Sequence, residues 1–310
     1  MQTITGGGVF TRQNINAINS NFAEVGNPSG LSYWIRPQVG NDGNPGTYAQ
    51  PFATMAGLSR YLVPGIVVYL EGVLRENFTA PLGVNNVTIV GMSTVPRQAT
   101  TSGTPNGGGA TWLSPTSVTN TADLCVVKGQ GWTFQNILFN NAATSAADVL
   151  LLRSGTGDPP LDPDGSHAAF LNCRFTGTSL GIEDEGGCGF VLIDGCEFFN
   201  FAGTGDTAIK NTSTAVAAPL DWTITNSRFW GNVNHIVAPA SGWLIKGCAF
   251  KAATTSTIDF TGGTAPNFVQ QNFFGIAAAD FDPAGGVTGV TGDAWSNTLT
   301  DAIETGLPAN

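Results

Sequence analysis

Charge is what this chain has least of. Asp, Glu, Lys and Arg make up 11% of its 310 residues, against ~25% in an average globular domain. The 12 Lys and Arg face 22 Asp and Glu, giving a net charge of −10. No basic run or patch forms, so binding to a nucleic-acid backbone is disfavoured. No apolar run approaches the ~18 residues of a membrane-spanning helix. The first residues, "MQTITGGGVFTRQNINAINSNF", lack a basic head and an apolar stretch, so no secretory signal is expected and the chain is expected to fold in a cytoplasm. The five cysteines include no CxxC pair, and reduced thiols are the expectation. GxSxG, HExxH and P-loop motifs are absent. No cofactor and no metal are expected.

What is abundant points the other way. Gly reaches 41 and aromatics 10%, with Thr, Asn and Ser supplying most of the polarity. Many glycines mean many tight turns, and the profile is that of an all-β protein. Helical spacing shows in two places only. Ile15, Ile18, Phe22 and Val25 place an apolar stripe on a helix over 10–25, with Thr11 as its cap and Phe10 packing on Ile15 as a hydrophobic staple. A helix this short needs a partner. Phe52, Met55, Leu58 and Leu62 mark a second short helix, stopped by Pro64 and Gly65. "IVVYLEG" and "NVTIVGM" follow as buried strands.

A repeat then takes over. "WTFQNILF", "AAFLNCRF", "FVLIDGCEF", "WTITNSRF", "WLIKGCAF" and "NFVQQNFF" align on Phe139, Phe175, Phe198, Phe229, Phe250 and Phe274. Three places earlier stand Asn136, Asn172, Gly195, Asn226, Gly247 and Gln271; the next place holds Ile137, Cys173, Cys196, Ser227, Cys248 and Asn272. Intervals of 36, 23, 31, 21 and 24 residues are too uneven for propeller blades and fit the coils of a parallel β-helix. Stacking coils ~4.8 Å apart turns these positions into ladders. The Asn/Gly column belongs at a bend needing positive φ. The Cys-containing column points inward as small packing side chains. Metal ligation is the competing reading, but no His joins the column.

"VGNDGNPGTYAQPFATMAGL" and "PGIVVYLEGVLRENFTAPLGVNNVTIVGM" resemble the entry to right-handed parallel β-helices of the pectin-lyase-like superfamily. Gly40, Asp42, Gly46, Pro51, Phe52, Thr54, Glu76 and Asn86–Gly91 stand in that pattern's GxDxxxG loop, Pro-Phe-x-Thr helix start and two strands. The resemblance covers roughly 33–275. It implies an all-β, single-stranded right-handed parallel β-helix with a short N-terminal helix and a small helical cap. The Asn-rich "NINAINSNFAEV" and the tail "GVTGVTGDAWSNTLTDAIETGLPAN" resemble the ends of bacteriophage structural proteins. That resemblance implies a virion protein of the capsid decoration, head fibre or tailspike type, a homotrimer contacting other virion proteins. The expected division is an anchor over 1–32, the β-helix over 33–275 and an extended C-terminal segment over 276–310. The alternatives are a polysaccharide depolymerase, hydrolase or lyase, and a host-glycan-binding adhesin.

Chemistry has few places to sit. Glycoside hydrolysis needs two carboxyl groups ~5–9.5 Å apart. The candidates are Asp158, Asp162 and Asp164, with His167, in the loop "GTGDPPLDPDGSH", and Glu183 and Glu185 around Asp184 in "GIEDEGG". Turn formation is the plainer account of the Asp-Pro loop. Adjacent acids on a strand face opposite ways. Asp42 is read as a turn residue, Glu71 and Glu76 as capping or pairing with Arg75 or Arg97, and His235 as structural. Trp230 and Trp295 are candidates for sugar stacking.

Overall fold

The computed structural model describes residues 31–92, 110–115, 122–142, 147–152, 165–185, 187–212, 221–239, 242–251, 253, 255–260 and 267–275, plus short strands within 287–299. The expected N-terminal helix, with Phe10, Ile15, Ile18, Phe22 and Val25, lies outside the described residues.

The chain is a three-sheet parallel β-helix. Among the described residues its sheets have 10, 9 and 8 strands, and the chain visits them in rotation. Every strand pair is parallel and joins one coil to the next, as where Phe170 pairs with Phe134 below and Ile193 above. Coil 1 spans 67–79, coil 2 88–127, coil 3 133–152, coil 4 169–184, coil 5 192–211, coil 6 223–237, coil 7 244–259 and coil 8 268–288. The strands Asp293–Trp295 and Thr298–Leu299 pair onto coil 8. Strand pairing thus continues beyond 275, into the segment expected to be merely extended.

Side-chain alternation explains why these short strands hold. In strand Leu192–Asp194 only the middle residue, Ile193, is buried in the core, and the pattern repeats in strand Thr223–Thr225 with Ile224. The six aligned phenylalanines form one continuous stack with centroid spacings of 5.1, 4.7, 4.9, 4.9 and 5.1 Å. Trp112 extends it downward at 5.8 Å. These offset-stacked rings add to the burial of apolar area that drives folding.

The cysteine column is interior, as expected: Ile137, Cys173, Cys196, Ser227, Cys248 and Asn272 are each at most 2% exposed. None of the five cysteines forms a disulfide. Their role is more than filling space. Cys173, Cys196 and Cys248 each point the thiol at a backbone carbonyl one coil below, Phe134, Phe170 and Ile224, at 3.3–3.6 Å. Asn272 does the same to Ile245 at 3.0 Å. At four of the six coils the corner side chain thus supplies a donor to the carbonyl below.

The bend column behaves as its composition predicts. Asn136, Asn172, Asn226 and Gln271 have φ of 52–56°, and Gly195 and Gly247 have 64° and 66°. Gly follows Asn at two steps of the column, and sterics explain those two. A Cβ on Gly195 would sit 2.6 Å from the Asn172 side-chain oxygen, and one on Gly247 3.2 Å from that of Asn226. At these steps the Asn side chain of one coil occupies space that a Cβ would need in the next.

The entry is closed by the expected short helix Met55–Leu58 and a 3-10 turn at Ser59–Tyr61. Asp42 is more than a turn residue. Its carboxylate accepts from the Ala53 and Thr54 N–H groups and from the Thr54 hydroxyl, at 2.7–3.0 Å. Glu76 caps the helix by accepting from the Met55 and Ala56 N–H groups. Glu71 pairs with Arg36 at 3.1 Å, in place of Arg75 or Arg97, because the first strand, Ser32–Ile35, lies alongside strand Val67–Leu70 and brings Arg36 across to Glu71.

Candidate functional site

Of the acids singled out from the sequence, Asp158, Asp162 and Asp164 lie outside the described residues, while Glu183 and Glu185 fall in coil 4 and just after it. In strand Leu180–Asp184 both Glu183 and Asp184 are buried, and Glu185 follows the strand's end. Asp184 is fully buried and accepts from the Cys188 N–H at 3.0 Å and the Asn211 amide at 2.8 Å, a satisfied structural carboxylate. Glu183 is 9% exposed and accepts from the Thr212 hydroxyl at 3.0 Å. Glu185 is exposed.

The partner of Glu183 is Asp148 of coil 3, which sequence reasoning missed. Asp148 is 3% exposed, and its N–H donates to Asp123 at 3.0 Å. Burial, then the hydrogen bond and charge of Glu183, then Asp123 and Glu185, push its carboxyl up to about 10. Asp148 therefore keeps its proton at neutral pH. A signal existed: "ADLCVV" (122–127) and "ADVLLL" (147–152) are the same stretch of successive coils. In each the Asp stands two places before a third-sheet strand, Cys125–Val127 or Leu150–Leu152.

Both carboxyl groups are buried, at 3% and 9% exposure, and so are closed off from a glycosidic bond to be broken. Among the described residues no cluster of three or more His, Cys, Asp and Glu could hold a metal ion.

Other polar groups are either packed into the coils or displayed at the surface. His235 is buried between Phe229 and Phe250, with Nδ1 2.9 Å from the Asn232 amide, and burial lowers it to about 3, so it is neutral. Trp230, a candidate for sugar stacking, lies against Phe199 at 5.1 Å and donates to Glu197 at 2.9 Å. Arg174 closes that outer stack, 4.8 Å over Phe199 and 2.7 Å from Glu197. Trp295 falls in a short strand whose side chains are outside the described residues. A recess of about 310 Å³ lies between the cap and coil 1, lined by Gln38, Thr54 and Arg75 among others.

The displayed groups are at the entry to the first sheet. Two places before each first-sheet strand of coils 2 to 7, φ is again positive: Asn86, Gly131, His167, Phe190, Asp221 and Gly242. His167 and Phe190 are exposed there and stack on each other at 5.0 Å and 19°. Phe190 is 58% exposed.

No protein-family model matches the chain, and no curated protein does. Solved structures resemble it at a distance. A rhamnogalacturonan lyase superposes with a TM-score of 0.45 at 15% identity, over 89% of each chain. A pectin methylesterase from Aspergillus niger gives 0.48 and 12%, over 88% of this chain and 86% of that one. A GH136 lacto-N-biosidase from Eubacterium ramulus gives 0.37 and 10%, over 87% and 68%. Likenesses this remote say nothing about chemistry here; the parallel β-helix rests on the strand pairing itself.

Proposed function

We propose that this chain is a bacteriophage virion structural protein, a capsid decoration, head fibre or short spike. Its β-helix is the displayed rod, and residues 1–32 dock it to other virion proteins and to sister copies, as a homotrimer. The observation that carries this reading is a junction in the sequence. An Asn-rich, apolar-striped segment of phage type leads directly into a capped coil stack with a ladder-packed interior. Such a stack is a stiff spacer whose loops vary without disturbing its core. The protein is made in the host cytoplasm and ends on the particle. Deleting residues 1–26 and measuring occupancy on particles tests the reading: loss of incorporation is expected, and normal occupancy contradicts it.

A glycan-directed role is the second reading, favoured by the exposed His167–Phe190 ring pair. Within it, binding is supported better than cleavage, because Asp148 and Glu183 are both buried. Incubation with host surface polysaccharide separates the two: new reducing ends or unsaturated products would establish a depolymerase.

A further inference from the structure

Phe190 breaks a rule that its column otherwise keeps. The corner entering the first sheet demands positive φ in every coil from 2 to 7. Asn, Gly, Asp and His tolerate that region; a Phe there is an outlier. Its φ is 59°. Strain of this kind persists where it is compensated, and buried packing is the usual compensation. Here packing is small, because Phe190 leaves 58% of its surface in solvent. Leu192, two residues on, is also exposed, at 37%.

The surroundings narrow what such a ring could meet. His167 supports one face as a stacked platform at 5.0 Å. In the next coil the equivalent position holds half-exposed Asp221, which has no ring to continue the stack. Above that stands Gly242. An open aromatic face beside a carboxylate matches a ligand with an apolar C–H face and a rim of hydroxyl donors. The chain's sparse charge leaves stacking and neutral hydrogen bonding as the available recognition chemistry.

We propose that Phe190, supported by His167 and flanked by Asp221, is a stacking subsite for a pyranose ring of a glycan chain. This rests on the glycan-binding reading, to which it assigns residues, and does not need the particle reading.

The test uses the full chain and separate hexasaccharides of glucose, mannose, N-acetylglucosamine and galacturonic acid as probes. Saturation-transfer NMR is expected to show transfer to ring C–H protons of at least one. Phe190→Gly suits the backbone and removes the ring. It is expected to weaken that binding about tenfold or more while leaving the melting temperature unchanged or higher. Asp221→Asn is expected to weaken it less. No transfer from any probe overturns the proposal, as does transfer unchanged in Phe190→Gly. A lower melting temperature for Phe190→Gly would make the ring a packing residue. Conversion of an oligomer to monomers by the same change, seen in sedimentation, would make a second copy the occupant. The deletion of residues 1–26 leaves this site intact, so the two tests fail separately.

Discussion

The two bends that flank the first sheet ask the same thing of the backbone and get different answers. At the exit, six successive coils place Asn, Gly or Gln at φ of 52–66°. At the entry, the same left-handed turn is met by Asn86 and Gly131, then by His167 and Phe190, then by Asp221 and Gly242. The exit residues are all of types that tolerate the left-handed turn or, in Gln271, adopt it. The entry begins the same way, since a Cβ on Gly131 would lie 2.3 Å from the Asn86 side-chain oxygen. It then departs from that logic over coils 4 and 5, where the side chains are exposed. Where a column obeys its local demand it reports the fold, and where it disobeys at the surface it reports something selected besides the fold.

Breaking the conforming side carries the largest penalties. Phe198→Ala removes the middle of the ring stack, where Phe198 is fully buried between Phe175 and Phe229. A loss of about 3–5 kcal/mol is expected in denaturant unfolding. Gly195→Val forces a β-branched residue to φ 64° and drives its Cβ into Asn172. About 1–3 kcal/mol is expected, by the same measurement. The equivalent change at an Asn–Gly step of the entry, Gly131→Val, is expected to cost as much.

That much was legible in advance. The aligned aromatics fixed the coil spacing, and the Asn/Gly column fixed the bends, because ladder positions repeat their physical demand in every coil. Even Gln271, the misfit of the column, has φ 53°. The cysteines were read as inward-facing, and what was missed is that their thiols serve backbone carbonyls. The site was harder to read. Glu183 was singled out, but its partner Asp148 is 35 residues away in sequence and meets it only because coil 3 lies under coil 4. Phe190 drew no notice, since one exposed Phe is unremarkable until its backbone conformation is known.

The third sheet sharpens the contrast through pH. Asp148 holds a proton in the folded state up to about 10, whereas an ordinary Asp carboxyl releases it near 3.8. The unfolded chain releases that proton first, so this group's contribution falls as pH rises from about 4 to about 10. Glu76, raised to about 7 by burial, acts in the same direction between about 4.5 and 7. His235, lowered to about 3, acts oppositely and costs stability as pH falls below about 6.5. Asp148→Asn is therefore expected to lose less stability than the parent between pH 5 and pH 9, by about 1 kcal/mol or more. Parallel slopes for the two would mean that the carboxyl is ionised in the fold. The smallest effect belongs to the nonconforming corner. Phe190→Gly is expected to gain about 0.5–1 kcal/mol by relieving the backbone, the reverse of Gly195→Val.

Sulfur anomalous scattering from crystals of the native chain tests the stack most directly. With one residue per coil in a single interior file, the sulfurs of Cys173, Cys196 and Cys248 should lie along the rod axis. Successive separations should be about one and about two strand spacings, near 5 and 10 Å, with Ser227 in the gap. Sulfurs off that line, or out of that order, would contradict the register on which the ring stack, both bends and the exposed platform depend.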